Sequence, residues 1–262
     1  MSQVDDRPSL PLFLTEPARA TADLGLLLAA GPLLRRLPGG DGHPVLVLPG
    51  LLADDGSTRL LRTVLGGLGY DVHGWRLGRN VGPTALAVDG MRERLEQLHH
   101  RHDRPVTVIG WSLGGIYARD LARRTPHAVR QVITLGSPFR MASVDQTRVH
   151  RAFDHYSHLH VERRSLPLEG GPLPVPSTSV YSRYDGIVHW SCCLETPGPR
   201  AENIAVQASH LGLGHHPAVV YAVADRLAQA EGAWQPFRAP GVLRPAFPRP
   251  DLPASAASAA AA

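Results

Sequence analysis

The stretch VTVIGWSLGG, residues 106–115, decides the fold. Its first four residues are typical of a buried strand, and the residues that follow it are typical of a helix. At a sharp turn between strand and helix, Gly110 and Gly114 avoid side-chain clashes, while Ser112 is held at the tip with its hydroxyl exposed. The pattern therefore predicts a nucleophile elbow. Because a serine becomes a nucleophile only when a base takes its proton, a histidine and an acid are expected further along the chain.

Apolar runs and helical patterns alternate on both sides of this elbow. Strands separated by helices of these lengths predict an α/β fold, with a mainly parallel sheet of about six strands, helices on both faces and a short cap insertion. The predicted strands are 45–48, 71–75, 106–110, 129–135, 177–182 and 203–207, and the predicted helices are 57–66, 83–101, 112–124 and 217–231.

The chain divides into three parts. Residues 1–40 are expected to form an N-terminal extension that carries an amphipathic helix and ends at a Pro-Gly-Gly breaker. Residues 41–231 are expected to form one catalytic domain, in which the proline-rich stretch of about 138–175 lacks periodicity and is interpreted as a cap. Residues 232–262 are dominated by proline, alanine and serine, which predicts a disordered tail.

Composition and charge narrow the class of partner and the compartment. All 27 basic residues are arginine and the net charge is +4, but the arginines are scattered, so no nucleic-acid partner is expected. The adjacent Cys192 and Cys193 cannot join distant segments, which favours free thiols and a reducing, cytoplasmic location.

The apolar run 24–34 is too short to span a bilayer, which takes about 20 residues. Residues 20–36 are expected to pack on the domain, with peripheral membrane contact as the alternative. The sequence does not indicate the oligomeric state.

Two loops after later strands offer the partners of Ser112. Asp185 lies in the turn RYDGIV and His210 in the loop SHLGL, and the carboxyl ends of parallel strands gather at one edge of a sheet. The order serine, acid, histidine is the one that follows a nucleophile elbow in the chain. In this arrangement His210 is the base and Asp185 orients it, with no metal or organic cofactor. The weaker alternatives are Asp154 for the acid and His189, His215 and His216 for the base.

The developing oxyanion needs two donors. The backbone N–H of Leu113, directly after the nucleophile, is expected to supply one from the start of the helix. The other is expected from Leu51, because the tight bend Pro49-Gly50 after the first strand points a main-chain N–H towards the site.

These motifs, LPGLL, GWSLGG, RYDGIV and SHLGL, stand at the positions they occupy in α/β-hydrolases, and the chain resembles a minimal bacterial lipase or esterase of that superfamily. The resemblance spans roughly residues 44–230. It implies Ser112 as nucleophile, Asp185 and His210 as its partners, and main-chain donors from Leu51 and Leu113. The chain departs from the family where the familiar His-Gly before the oxyanion residue is Pro49-Gly50.

The cap supplies candidates for a substrate pocket. Trp111, beside the nucleophile, is expected to pack under the elbow, with substrate contact as the alternative. The spacing of His155, His158 and His160 matches no strong metal-ligand pattern, so these histidines are expected to be solvated or packed. Side chains of the cap that could form an apolar wall for an acyl chain are Met141, Val144, Phe153, Tyr156 and Leu159.

The sequence therefore predicts a serine esterase or lipase that acts on a small-molecule or lipid ester through an acyl-enzyme. Acyltransferases and thioesterases use the same triad. A catalytically silent binding protein of the same fold is the alternative from another class.

Overall fold

The computed structural model describes residues 7–34, 37–161, 171–196 and 198–253. In these ranges six strands form one sheet in the order β2-β1-β3-β4-β5-β6, and each neighbouring pair is parallel. The predicted α/β class, with a parallel sheet of about six strands, is confirmed. The strands are β1 (Pro44–Leu48), β2 (Asp71–Gly74), β3 (Val106–Trp111), β4 (Val129–Leu135), β5 (Ser177–Ser182) and β6 (Ala201–Val206).

Helices cover both faces of the sheet because alternate strand residues point to opposite sides. The α-helices in the described ranges are α1 (Leu10–Leu14), α2 (Glu16–Ala29), α3 (Gly31–Leu34), α4 (Arg59–Gly67), α5 (Ala85–His102), α6 (Leu113–Arg124), α7 (His150–His155) and α8 (Pro217–Leu227). Val45 and Val47 join one buried cluster with α2, α4 and α8, whereas Leu46 and Leu48 join another with α5 and α6.

The N-terminal segment packs on the domain. Leu27 of α2 and Leu34 of α3 are buried in the cluster that they share with α8. The one amphipathic helix expected in residues 1–40 is divided instead. Helix α2 ends at Ala29 and α3 starts at Gly31, a residue that weakens a helix. Of the helices that the structure describes, none has the length and apolar character needed to cross a membrane.

The cap is described over residues 138–161 and 171–175, and the rest of it lies outside the described residues. It is attached on two sides. On one side His160 Nε2 lies 2.8 Å from the carbonyl oxygen of Val81, and the Val161 N–H donates to Pro83 over 2.9 Å. On the other side the Arg148 N–H donates to the carbonyl of Ile187 over 2.9 Å. The cap therefore covers the carboxyl edge of the sheet.

The tail differs from the expected disorder over residues 232–253. Phe237 and Phe247 lie with ring centroids 4.8 Å apart, and both contact Tyr221 of α8. Asp251 accepts a hydrogen bond of 2.9 Å from the Tyr181 hydroxyl. The composition suggested disorder, but these aromatic rings bury apolar area against the domain, which offsets the entropy of ordering the segment. Residues 254–262 lie outside the described residues.

Steric crowding at the elbow generates a stability prediction. A Cβ at Gly110 would collide with the backbone of Gly114 and Gly115, whereas one at Gly66 in α4 would meet nothing within 4 Å. We expect Gly110→Ala to lower the free energy of unfolding by about 3 kcal/mol or to abolish folding. Gly66→Ala, the matched control, should leave it unchanged or raise it by up to about 1 kcal/mol. Urea unfolding of both variants checks this, and equal effects would contradict it.

Candidate active site

Ser112 stands between the end of β3 and the start of α6. Its φ of 52° and ψ of −119° lie in a region that L-residues rarely adopt. The Ser112 N–H donates to the carbonyl of Leu135 over 2.8 Å, which fixes the turn to the neighbouring strand. Gly50, from the loop after β1, approaches so closely that a Cβ there would lie 3.2 Å from the Ser112 Cβ. The turn has the geometry of a nucleophile elbow.

Asp185 and His210 meet beside this turn. The loop after β5 supplies Asp185 and the loop after β6 supplies His210, and His210 Nδ1 lies 2.5 Å from Asp185 Oδ2. Both side chains are buried. The other carboxylate oxygen of Asp185 accepts from the N–H groups of Ile187 and Val188, over 2.9 and 2.7 Å. The carboxylate is thus held by its own loop with one oxygen free for the imidazole.

The electrostatics of this pair favour the charged imidazole. Burial lowers the pKa of His210, but the charge and hydrogen bond of Asp185 and the charge of Glu16 outweigh it, so the pKa lies above its ordinary value. A histidine with a buried carboxylate on Nδ1 can take a proton on Nε2 and hold the resulting cation.

Trp111 has a defined contact here. Its indole N–H donates to the carbonyl oxygen of His210 over 3.1 Å, and the ring is buried beneath the elbow. It also lines a cavity beside Ser112. Gly136, at the end of β4, has a φ of 54°, and a Cβ there would lie 3.1 Å from Asp185 Oδ2 and 3.2 Å from His210 Nδ1. A strand end without a side chain therefore lets the pair approach the sheet.

Asn80 ends the stretch WRLGRN, residues 75–80, which the sequence suggests shapes a loop at this end of the sheet, and it organises the loop that carries Leu51. The residue is fully buried. Its Nδ2 donates to the carbonyl of Pro49 over 2.9 Å, and its own carbonyl accepts from the Leu52 N–H over 2.7 Å. Only a local signal, the polar residue at the end of WRLGRN, could have indicated it. Leu113 is the first residue of α6, so its N–H has no acceptor within the helix.

Two cavities flank Ser112. The larger, of about 480 Å³, is mostly apolar, and the smaller, of about 160 Å³, also reaches Trp111 and His210. Met141, Phe153 and Val144 line the larger one. Tyr156 and Leu159 are not among the described residues that line either cavity. Tyr156 packs edge-on against His155 instead, with ring centroids 4.9 Å apart.

The alternative site residues have other positions. Asp154 is an exposed residue of α7 that lines the larger cavity. His189 Nδ1 lies 2.7 Å from the Ser191 hydroxyl, and His215 Nε2 lies 2.9 Å from the carbonyl of Ala20. His216 caps α8 by accepting from the Ala218 N–H over 3.2 Å. Of the candidate acids and bases, Asp185 and His210 are the two that the structure brings together at the elbow.

Among the described residues, one group has the composition of a metal site. Ligand atoms of Asp71, His73 and His102 lie within 4.8 Å of one another. The group lies at the amino end of β2, at the opposite edge of the sheet from Ser112. Arg94 Nη2 is 3.5 Å from His73 Nδ1, and this cation opposes metal binding.

The two cysteines, Cys192 and Cys193, are buried and form no disulfide, and burial raises the pKa of the Cys193 thiol well above its ordinary value.

Comparisons with known proteins give short matches in sequence. No family model matches the chain. The chain is 38% identical over 66 residues to the pimeloyl-[acyl-carrier protein] methyl ester esterase of Sodalis glossinidius (strain morsitans). It is 33% identical over 88 residues to the protein of the same name from Aromatoleum aromaticum (strain DSM 19018 / LMG 30748 / EbN1). Each match covers 25% of this chain, and the chain spans 24% and 35% of these curated relatives.

Solved structures match over a larger share of the chain. Lipase B of Aspergillus fumigatus has a TM-score of 0.58 at 17% identity, over 72% of this chain and 53% of that one. A structure from the work on the metagenome-derived lipolytic enzymes LipS and LipT has a TM-score of 0.52 at 15% identity, over 72% of this chain and 93% of that one. Together with the sheet order and the elbow, these neighbours show that the chain has the α/β-hydrolase fold.

The contact between His210 and Asp185 predicts a specific titration. Loss of the carboxylate charge in Asp185→Asn should lower the pKa of His210, because the imidazolium would lose its main stabilising partner. NMR titration of the histidine ring signals measures this, with the His210 signal assigned by its absence in His210→Ala. Asp154→Asn, the matched control, should leave the titration of His210 unchanged. If the pKa of His210 fell further in Asp154→Asn than in Asp185→Asn, Asp154 would be the carboxylate partner of His210.

Proposed function

We propose that the chain is a serine hydrolase that cleaves carboxylic esters through an acyl-enzyme on Ser112. One observation carries the proposal, namely that His210, which is paired with the buried Asp185, lines the same cavity as the strained Ser112. A buried acid–histidine pair beside a serine on an elbow is the arrangement that activates a hydroxyl for attack.

In the proposed mechanism His210 Nε2 takes the proton of Ser112 as the hydroxyl attacks the ester carbonyl. Asp185 holds Nδ1 protonated and stabilises the imidazolium, and its own carboxylate stays ionised. The imidazolium then gives its proton to the leaving alcohol. In the second half of the reaction His210 Nε2 takes a proton from water as the water attacks the acyl carbonyl. The imidazolium then returns that proton to the Ser112 oxygen as the bond to the acyl group breaks, which releases the acid and restores Ser112.

The oxyanion is stabilised by the N–H groups of Leu113 and Leu51. The N–H of Leu113, which has no acceptor within the helix, lies at the positive end of the α6 dipole. Asn80 supports the second donor, since its hydrogen bonds to Pro49 and Leu52 hold the residues on either side of Leu51.

The two cavities suggest which part of an ester binds on each side of Ser112. The larger one has the size and apolar character of a typical ligand pocket, so it suits an extended acyl chain. The smaller one is about a third of its size and suits a compact alcohol. The curated relatives are named as esterases of pimeloyl-[acyl-carrier protein] methyl ester, an ester of a long acyl group with a small alcohol, and this fits the arrangement.

The first test is hydrolysis of p-nitrophenyl esters across a ladder of acyl lengths. We expect Ser112→Ala and His210→Ala to lose about 10⁴-fold or more in kcat. The chain offers a matched control in a second Ser–His pair, because Ser191→Ala removes the hydroxyl beside His189 and should leave the rate unchanged.

The outcomes separate the alternatives. Labelling of wild type by a fluorophosphonate without ester turnover would point to an acyltransferase or thioesterase, since both activate the serine. Absence of both turnover and labelling would point to a silent binding protein and would contradict the proposal.

A second prediction concerns the two cavities. Val144→Trp adds bulk at the exposed rim of the larger cavity and should shift the rate optimum to shorter acyl chains. Ala152→Phe adds bulk in the smaller cavity and should slow esters of large alcohols while leaving the acyl optimum in place. kcat/KM for a matrix of acyl and alcohol sizes measures both effects. If Val144→Trp instead slowed esters of large alcohols and Ala152→Phe shifted the acyl optimum, the larger cavity would hold the alcohol and the smaller one the acyl chain.

A further inference from the structure

Two carboxylates of α2 are buried beneath the loops that carry Asp185 and His210. Glu16 is 2% exposed and Asp23 is 6% exposed. Buried carboxylates are unusual unless they accept several hydrogen bonds, so their partners decide their role. Neither residue belongs to the serine, acid and histidine set.

Glu16 joins the two loops through their backbones. Its Oε1 accepts from the Gly186 N–H over 2.8 Å and from the His210 N–H over 3.1 Å, and its Oε2 accepts from the Leu211 N–H over 3.0 Å. Gly186 directly follows Asp185 in the chain. The Glu16 carboxylate therefore fixes the backbone of His210 relative to the backbone of Gly186, the residue after Asp185. Hydrogen bonds to an ionised acceptor are about twice as strong as neutral ones.

Asp23 holds the same loop from a position about two helical turns further along α2. Its Oδ2 accepts from the Ser209 N–H over 3.0 Å and from the Ser209 hydroxyl over 2.6 Å. The Ser209 hydroxyl oxygen in turn accepts from the Gly212 N–H over 3.0 Å. The loop 209–212 is thus fixed by α2 on both sides of His210.

The charged groups around His210 come from several elements. Asp185 faces its Nδ1, and Glu16 lies at its backbone. Arg19 Nη2 is 2.7 Å from Glu16 Oε1, and its Nη1 donates to the carbonyl of Tyr184 over 2.7 Å. Beyond the loop, at the start of α8, His216 Nε2 lies 4.0 Å from Asp23 Oδ1. Glu16 therefore adds a second negative charge near His210, and Arg19 offsets part of it.

We propose that Glu16 is a positioning residue for the reaction, which fixes His210 against Asp185 from the N-terminal helix. The proposal rests on the proposed function, because it assigns Glu16 a role in the alignment of those catalytic groups. It also makes α2 part of the site: the α/β domain alone, without the N-terminal segment, lacks the acceptor for three backbone N–H groups of its two key loops.

The main variant is Glu16→Gln, which keeps the size of the side chain but replaces one acceptor oxygen by a donor. We expect kcat for p-nitrophenyl esters to fall about 10- to 100-fold with little change in KM, because the histidine moves while the larger cavity, proposed to hold the acyl chain, keeps its lining. Glu96→Gln is the matched control. Glu96 lies on α5, where its partners are the exposed His100 and His127, and its loss should leave kcat unchanged.

The pH profile distinguishes positioning from general support of the fold. Activity needs neutral His210, so kcat/KM rises with pH through the pKa of His210. Glu16 raises that pKa, so Glu16→Gln should move the acid limb to lower pH. Arg19→Met leaves the carboxylate in place without its cation, so it should move the limb to higher pH. A structural role alone would not shift the limb in opposite directions.

NMR titration of His210 repeats this test without turnover, so the two proposals can fail separately. Opposite shifts of the His210 pKa in Glu16→Gln and Arg19→Met support the positioning role even if no ester is cleaved. Absence of ester cleavage would then refute only the proposed esterase activity. An active wild type with unshifted limbs and an unchanged kcat in both variants would overturn the positioning role alone. Circular dichroism melts verify folding, and if Glu16→Gln does not fold, an unshifted titration in Arg19→Met overturns the role.

Discussion

The arrangement of the whole site depends on one steric constraint, the turn between β3 and α6. The chain reverses there with so little room that side chains at Gly110 and Gly114 would meet backbone atoms, and Ser112 takes a positive φ. Such a conformation costs of order 1–3 kcal/mol and persists only where the surroundings determine it. Here the surroundings are the buried strands β1 and β4 on either side of β3, which place the serine at the carboxyl edge of the sheet.

Every other component of the site is brought to that edge by a different part of the chain. The parallel sheet delivers the loops after β1, β5 and β6 to the same place, and the cap closes over them. The N-terminal helix then approaches from outside the sheet, with its carboxylates directed at the loops. The site is therefore precise because hydrogen bonds from remote elements fix loops that are otherwise irregular, a common requirement for a preorganised constellation.

The sequence predicted those features that depend on local pattern and on the order of elements. Alternating apolar runs gave the parallel sheet, and Gly-X-Ser-X-Gly between a strand and a helix gave the elbow. The meeting of Asp185 with His210 followed from their places after successive strands. The roles of Asn80, Gly136 and Glu16 escaped prediction because they depend on contacts with distant segments, and a buried carboxylate looks the same in sequence as an exposed one. The contacts of Phe237 and Phe247 in a proline-rich tail were missed for the same reason.

The bond between Glu16 and His210 closes a loop of 194 residues. A growing chain produces α2 well before the loop of His210, so this contact forms only when the sheet strands that lie between them in sequence have been made. Contacts of such long separation are slow to form, because the entropy of closing the loop must be overcome first. The assembled site is thus coupled to the end of folding, and partly folded chains would hold Ser112 in place before His210 is fixed beside it.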